Sequence, residues 1–397
     1  MLQLDAVQTL AFAGIALFLG YALCRAIPVF GRYNLPPPVV GGLVFAAVAW
    51  ITHDRGATLF VLDTSLQTPL MIAFFTTIGM NASVRLLRIS GGQVLLFLVI
   101  ASLFAVAQNL LGIAVASGFD LHPLFGVVAG STTLTGGPAT GLAFAPLFEE
   151  AGVRGAESIA VASAMAGIVL GGLIGGPVAT VLIRRHGLVS ARPDDHTAPD
   201  DDAVIPAQTG GQREYNALKS LVVILVAMWL GAWVSRLISS TGITLPAYIG
   251  AMLVGAAIRN LDDATGWIRL SVPTTDLIGN VSLALFLSVA LMNLKLWELA
   301  GLALPLLVNL VLQVAMVATF CAVVFRLMGR DYDAAVMGGG FIGFMLGTTA
   351  NAMAVMRTLV ERYGAAPRAF LVAPLVGAFF IDFTNALIIT GFINFWR

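Results

Sequence analysis

The run LFGVVAGSTTLTGGPATGLAFAPLFEE, from Leu124 to Glu150, is apolar at both ends and breaks in the middle into hydroxyls, glycines and a proline. The broken part holds Ser131, Thr132, Thr133, Thr135, Gly136, Gly137, Pro138 and Thr140. A second run, AAVMGGGFIGFMLGTTANAMAVMRTLV, from Ala334 to Val360, has the same build, broken at Gly343, Gly347, Thr348, Thr349 and Asn351. Glycine is costly inside a helix, and proline there removes a hydrogen bond and clashes with the preceding turn. A membrane-spanning helix needs roughly 20 apolar residues in one piece. Each arm beside a break has only about 10 to 13 residues and, at about 1.5 Å per residue, reaches halfway across a bilayer. The expected element is a re-entrant hairpin, near 123–149 and again near 334–360, with its tip at the midplane. Irregular backbone at that depth is tolerated only where protein or a water-filled cavity satisfies its polar groups.

The rest of the composition supports a membrane setting. Hydrophobic residues make up 58% and charged residues 11% of the 397, and the mean hydropathy is +0.93, which excludes an ordinary soluble domain. Net charge is zero, so the electrostatic footprint of a nucleic-acid binder is absent. Cys24 and Cys321 sit in apolar segments and give neither a disulfide framework nor a metal spacing. The opening MLQLDAVQTL has no basic region or small-residue cleavage site, and reads as a retained helix.

Ten spans are expected, near 4–24, 36–51, 64–82, 91–117, 156–183, 217–238, 245–258, 272–292, 300–325 and 366–393. Between the fifth and sixth, a stretch rich in Asp, Pro and Gly reads as a disordered cytoplasmic linker. The chain therefore divides into repeats at 1–184 and 216–397 joined by 185–215. Orientation follows from counting. With both termini outside and both broken runs returning to the side they enter, 16 of the 21 Lys and Arg face the cytoplasm; Arg55, Arg154, Arg236, Lys295 and Arg397 do not. If both runs crossed instead, the split would be 10 against 11. Cytoplasmic loops carry the excess of Lys and Arg, so the hairpin reading is preferred.

A shift of 212 residues supports it independently. It lays FFTTIGMN (74–81) on FLSVALMN (286–293) and LTGGPAT (134–140) on LGTTANA (346–352). PPVVGG (37–42) matches PAYIGA (246–251) at a shift of 209, so the first two helices of each half form a candidate scaffold layer. Five spans and one hairpin per half make the halves inverted. The expected fold is an all-α polytopic membrane protein of two inverted five-helix repeats, each with one re-entrant hairpin. Paired broken segments of this kind mark the binding site of secondary transporters.

At the tips, Pro138 suits the first turn of a short helix, and Thr348 or Thr349 its counterpart's cap. Two helix N-termini then face the midplane, a setting for a carboxylate. The plainer alternative is that the small residues serve close helix packing. Asp382, in FFIDFTNAL, is the acidic residue deep within a span, with Asn385 on the same helical face; the pair suits an ammonium group or a cation. Asn81 and Asn293, paired by the repeat, with Thr76, Thr77 and Ser288, offer oxygen ligands for Na+, or simple capping. Arg357 reads as a cytoplasmic anchor before a substrate contact, and Gln108, Asn109, Asn309 and Gln313 as links between helices. The four histidines fall in loops, and no HExxH pair or two-acid dyad lies in the spans, so an enzyme is not expected. No TVGYG-type filter run favours a channel.

GSTTLTGGPATG, GTTANAMAVMRTLVERYG, AFLVAPLVGAFFIDFTNALII, FFTTIGMN and LPPPVVGG together resemble the bacterial sodium/glutamate symporters over essentially the whole chain. The resemblance implies sodium-coupled import of glutamate across the inner membrane, an elevator-like motion and a homodimer. It implies no cofactor beyond Na+ as coupling ion. By position it assigns substrate and sodium to the two tips with Asp382 and Asn385. Pro138 departs from the pattern expected of that tip, which bears on substrate preference rather than membership. A symporter of another organic anion, such as a di- or hydroxycarboxylate, would use the same tips.

Overall fold

The structure, a computed structural model, describes residues 2–54, 60–85, 91–191, 210–240, 242, 245–299 and 301–396. In chain order the α-helices among the described residues are α1 (Ala6–Ala26), α2 (Pro28–Arg32), α3 (Pro37–Asp54), α4 (Gln67–Met80), α5 (Gly92–Gly118) and α6 (Pro123–Val127). Then follow α7 (Gly137–Glu150), α8 (Ala156–Arg185), α9 (Gly210–Ser239), α10 (Ala247–Thr265), α11 (Val272–Met292) and α12 (Ala303–Leu327). The last are α13 (Tyr332–Met345), α14 (Thr349–Tyr363), α15 (Pro367–Leu375) and α16 (Ile381–Trp396). Two three-residue strands, β1 (Leu2–Leu4) and β2 (Phe60–Leu62), pair in parallel, a detail the helical reading did not contain.

Among the described residues six helices are long and apolar enough to cross a membrane: α1, α5, α8, α9, α11 and α12. The other four expected spans are helical but differ in build. The span expected at 36–51 is α3, of 18 residues, and that at 64–82 shortens to the 14 residues of α4. At 245–258, α10 runs on to Thr265 and carries Arg259, Asp262 and Asp263. The expected 366–393 is two helices, α15 and α16, separated by a π-turn at Val376–Phe380 just past Pro374. Of the linker expected at 185–215, residues 192–209 lie outside the described residues, and α9 already begins at Gly210.

The chain forms two compact units, one of Met1–Gly31, Leu35–Arg85 and Asp202–Glu298, the other of Arg32–Asn34, Leu86–Asp201 and Leu299–Arg397. In the first, helices meet backbone to backbone. A β-carbon on Gly41 would lie 1.8 Å from the Ala16 carbonyl oxygen, joining α3 to α1, and one on Gly79 2.1 Å from that of Met252, joining α4 to α10. Small residues at crossings permit this approach, as is usual between helices in lipid. Asp5 starts α1 by a capping box, accepting from the Gln8 amide at 2.8 Å while Gln8 Oε1 accepts from the Asp5 amide at 3.0 Å.

The second unit encloses the two broken runs. Residues 124–135 are buried without exception, and on α13 every residue but Asp333 is buried. A helix apolar on all sides belongs in the interior of a bundle. Phe341 of α13 packs edge-on to Phe97 and Phe104 of α5, with Phe320 of α12 beside it. Asp331 caps α13 by accepting from the Ala334 amide at 2.9 Å.

Candidate functional site

Both broken runs form a helix, a tight break and a second helix. In the first, α6 passes into a π-turn at Val128–Thr132 kinked at Gly130, whose ψ of −130° is not helical. Gly137 then opens α7 with φ +70°, a left-handed backbone that a side chain would strain, and Pro138 occupies the first turn. In the second, α13 ends at Met345, Leu346 to Thr348 turn the chain, and α14 begins with Thr348 in extended backbone at its N-cap. α13 and α14 pack antiparallel, with a β-carbon on Gly343 falling 3.1 Å from Ala352 Cα and one on Gly340 2.7 Å from Met356 Sδ.

The two breaks meet. A β-carbon on Gly137 would sit 3.2 Å from Thr348 Cγ2 and 3.8 Å from the Gly347 carbonyl oxygen. The N-termini of α7 and α14 are therefore neighbours, and neither is closed by a side-chain hydrogen bond. Each first turn leaves N–H groups without intrahelical partners and carries partial positive charge. Thr348, Thr349 and Gly136 are partly exposed and Ala350 is exposed, so this edge is open to a ligand.

The remaining predicted residues sort by what their polar atoms touch. Thr133 Oγ1 donates to the Val128 carbonyl at 2.7 Å, inside the π-turn. Thr349 Oγ1 donates to the Gly377 carbonyl at 3.2 Å, tying the second break to the π-turn before α16. Asn351 Nδ2 donates to the Ile168 carbonyl at 2.9 Å, and Asn385 Nδ2 to that of Ser131 at 3.0 Å. Ser131 Oγ, Thr132 Oγ1, Asn351 Oδ1 and Asn385 Oδ1 are buried without a hydrogen-bond partner among the described residues. Thr140 is buried one turn into α7. Gly136 and Gly347 face their own hairpins, their β-carbon positions lying 2.7 Å from the Thr132 carbonyl oxygen and 2.6 Å from Asn351 Nδ2. Asp382 is half-buried in the first turn of α16, one turn before Asn385, with no hydrogen-bond or ion-pair partner among the described residues.

A family model described as sodium/glutamate symporter matches residues 2–365. The chain belongs to the sodium/glutamate symporter family. It is 41% identical over 392 residues to the sodium/glutamate symporter of Escherichia coli K12, a match covering 98% of this chain and 97% of that one. The same figures hold for the Shigella flexneri protein. The Haemophilus influenzae sodium/glutamate symporter is 39% identical over 386 residues, covering 96% of this chain and 95% of its own. The family is one of transporters and not of enzymes.

In this family member, three of the four polar residues taken from sequence as links between helices, Gln108, Asn109 and Asn309, bond to the breaks, and Gln313 links α12 to α5. Gln108 Nε2 donates to the Met345 carbonyl at 2.8 Å, and Gln108 Oε1 accepts from Thr135 Oγ1 at 2.6 Å. Asn109 Oδ1 accepts from the Ser131 amide at 2.9 Å. From α12, Asn309 Nδ2 donates to the Ala129 carbonyl at 2.7 Å and Gln313 Nε2 to the Gln108 carbonyl at 2.7 Å. Asn309 Oδ1 and Gln313 Oε1 are buried without a hydrogen-bond partner among the described residues. Amides inside apolar helices were the available signal; their partners were not in the sequence pattern.

The residues expected to ligate Na+ are divided. Asp382 belongs to the second unit, and Asn81, Asn293, Thr76, Thr77 and Ser288 to the first. There, Thr76 Oγ1 donates to the Ile72 carbonyl and Thr77 Oγ1 to that of Phe74, each at 2.7 Å. Asn81 Nδ2 donates to Asp276 Oδ1 at 2.7 Å, Asn293 is an exposed C-cap, and Ser288 Oγ is buried without a partner. Arg357 lies eight residues past Thr349 on α14, about 12 Å along the helix, which fits an anchor rather than a tip residue.

Proposed function

We propose that the chain is a sodium-coupled symporter that carries glutamate into the cell, and that the paired breaks of its second unit are the glutamate site. The contact of Gly137 with Thr348 carries this reading, because it sets two uncapped helix N-termini side by side. Such ends attract a carboxylate through free N–H groups and the helix dipole. Glutamate has two carboxylates and one ammonium, and Asp382 supplies the anionic partner for the ammonium or for Na+. Na+ takes hard oxygen ligands. Ser131 Oγ, Thr132 Oγ1, Asn309 Oδ1 and Asn385 Oδ1, buried and unpartnered about the first break, are a donor set of that chemistry. Family membership and the names of its bacterial relatives support both substrate and coupling ion. Of the expected residues in the first unit, Asn81 Oδ1 and Ser288 Oγ have no hydrogen-bond partner among the described residues and keep oxygens for a second ion.

The same reading places the protein as a multi-pass protein of the bacterial inner membrane, with ten crossings, both termini outside and the central loop cytoplasmic. The α6–α7 and α13–α14 pairs are its re-entrant hairpins. The burial of residues 124–135 and of all of α13 but Asp333 supports this, since lipid cannot satisfy an irregular backbone. Inverted repeats are supported by the elements: α7 and α14 begin 212 residues apart, and α4 and α11 end 212 residues apart. Each compact unit draws matching helices from both halves, the composition that an elevator motion and a homodimeric scaffold require. Uptake of labelled L-glutamate into proteoliposomes, under Na+ and proton gradients imposed separately, tests the function. Accumulation driven by Na+ alone supports it, and accumulation driven only by protons, or of citrate or malate in preference, contradicts it.

A further inference from the structure

We propose that Gln108 is a positioning residue for transport, locking the two breaks into one body so that Na+ bound at the first raises glutamate affinity at the edge where the two meet. The proposal rests on the symport reading and names the part that links its two ligands. Gln108 is fully buried in the middle of α5. Its amide spends one end on each break, with Oε1 accepting from Thr135 and Nε2 donating to the Met345 carbonyl. Met345 is the last residue of α13, so its carbonyl belongs to the four that a helix end leaves without an internal partner. Thr135 stands in the turn that leads into α7. The amide thus engages the two segments that the helix breaks set free, and not the flank of an intact helix. Gln313 of α12 fixes the Gln108 backbone by donating to its carbonyl at 2.7 Å. The neighbouring Asn109 holds the Ser131 amide, so one turn of α5 grips the first break at two points and the second at one.

A displacement of either break is then felt at the other through this planar group, beside the direct contacts of Gly137 with Thr348 and of Thr135 with Met345. Two ligands that each favour the same arrangement of a shared element bind cooperatively. Na+ among the oxygens about Ser131 and glutamate at the α7 and α14 N-termini stand in that relation.

The test is the Na+ dependence of the KM for L-glutamate in proteoliposomes, for wild type, Gln108→Met and Gln108→Glu. Met is close in size and makes neither bond; Glu keeps the acceptor for Thr135 and, when ionised, loses the donor to Met345. In Gln108→Met the KM at saturating Na+ is expected to rise about tenfold, so that KM no longer falls as Na+ is raised, with kcat at saturating Na+ and glutamate within about twofold of wild type; tenfold is the size of an ordinary coupling free energy. Gln108→Glu is expected to shift in the same direction. A merely structural role would lower the amount of inserted protein and leave the Na+ dependence of KM as it was, and that result overturns the proposal. If Gln108→Met does not insert, Gln108→Glu decides by the same criterion. Wild-type vesicles that fail to accumulate glutamate on a Na+ gradient overturn the symport reading itself, a different result from working wild type with unaltered variants.

Discussion

In the proposed reading, coupling turns on Asp382. It has no hydrogen-bond or ion-pair partner among the described residues and lies in the first turn of the helix that Asn385 pins to Ser131. Asp382→Asn keeps size and polarity but removes the charge. It is expected to abolish Na+-driven glutamate uptake while the protein still inserts at wild-type levels; uptake at the wild-type rate would remove the residue from the mechanism. A second carboxylate has a structural duty. Partial burial pushes Asp262 up, but the amides of Leu270, Arg269 and Ile268, with the Arg259 guanidinium nearby, hold it below the ordinary carboxylate value. A lowered native pKa stabilises the fold above the pKa of the unfolded chain, and that contribution is lost as pH falls through the native value. Asp262→Asn is therefore expected to lower the melting temperature at neutral pH, with the gap from wild type closing in acid. A gap that stayed constant with pH would assign the loss to packing.

Between residue and molecule lie the two broken elements, and here the reading from sequence was most and least complete. Their positions were legible because glycine, proline and threonine act locally: Pro138 and Thr348 occupy the helix starts expected of them. Which glycine matters was not legible. Gly136 and Gly347 looked equivalent to Gly137, yet they pack within their own hairpins, and Gly137 alone of the three faces the opposite break. Gly137→Val meets both Thr348 Cγ2 at 3.2 Å and a positive φ, the latter costing about 1–2 kcal/mol. It is expected to cut glutamate uptake at least tenfold, more than Gly176→Val, whose added carbon meets nothing within 4 Å. Equal rates in the two variants would separate the break contact from transport. The grip of Gln108 on Met345 was hidden for a plain reason: the partners are 237 residues apart, and a buried amide in a helix announces only that it has some partner.

Over the whole chain, the helical class and most element positions followed from hydropathy, glycine and proline, while lengths did not. The C-terminal span broke into α15 and α16 at a π-turn, a feature that recurs at functional sites and has no strong local signature. The division into units was anticipated only through the looser repeat of the first helices; the observed first unit takes α4 and α11 as well. The central claim is that the edge where α7 and α14 begin receives glutamate, and that Na+ prepares it. Ala350, exposed in the first turn of α14, reports on that edge. In Ala350→Cys, the rate of maleimide labelling in membranes should fall at least tenfold when L-glutamate and Na+ are present together, and stay unchanged with either alone or with malate. A labelling rate indifferent to glutamate and Na+ combined, in a variant that still transports, would contradict the account.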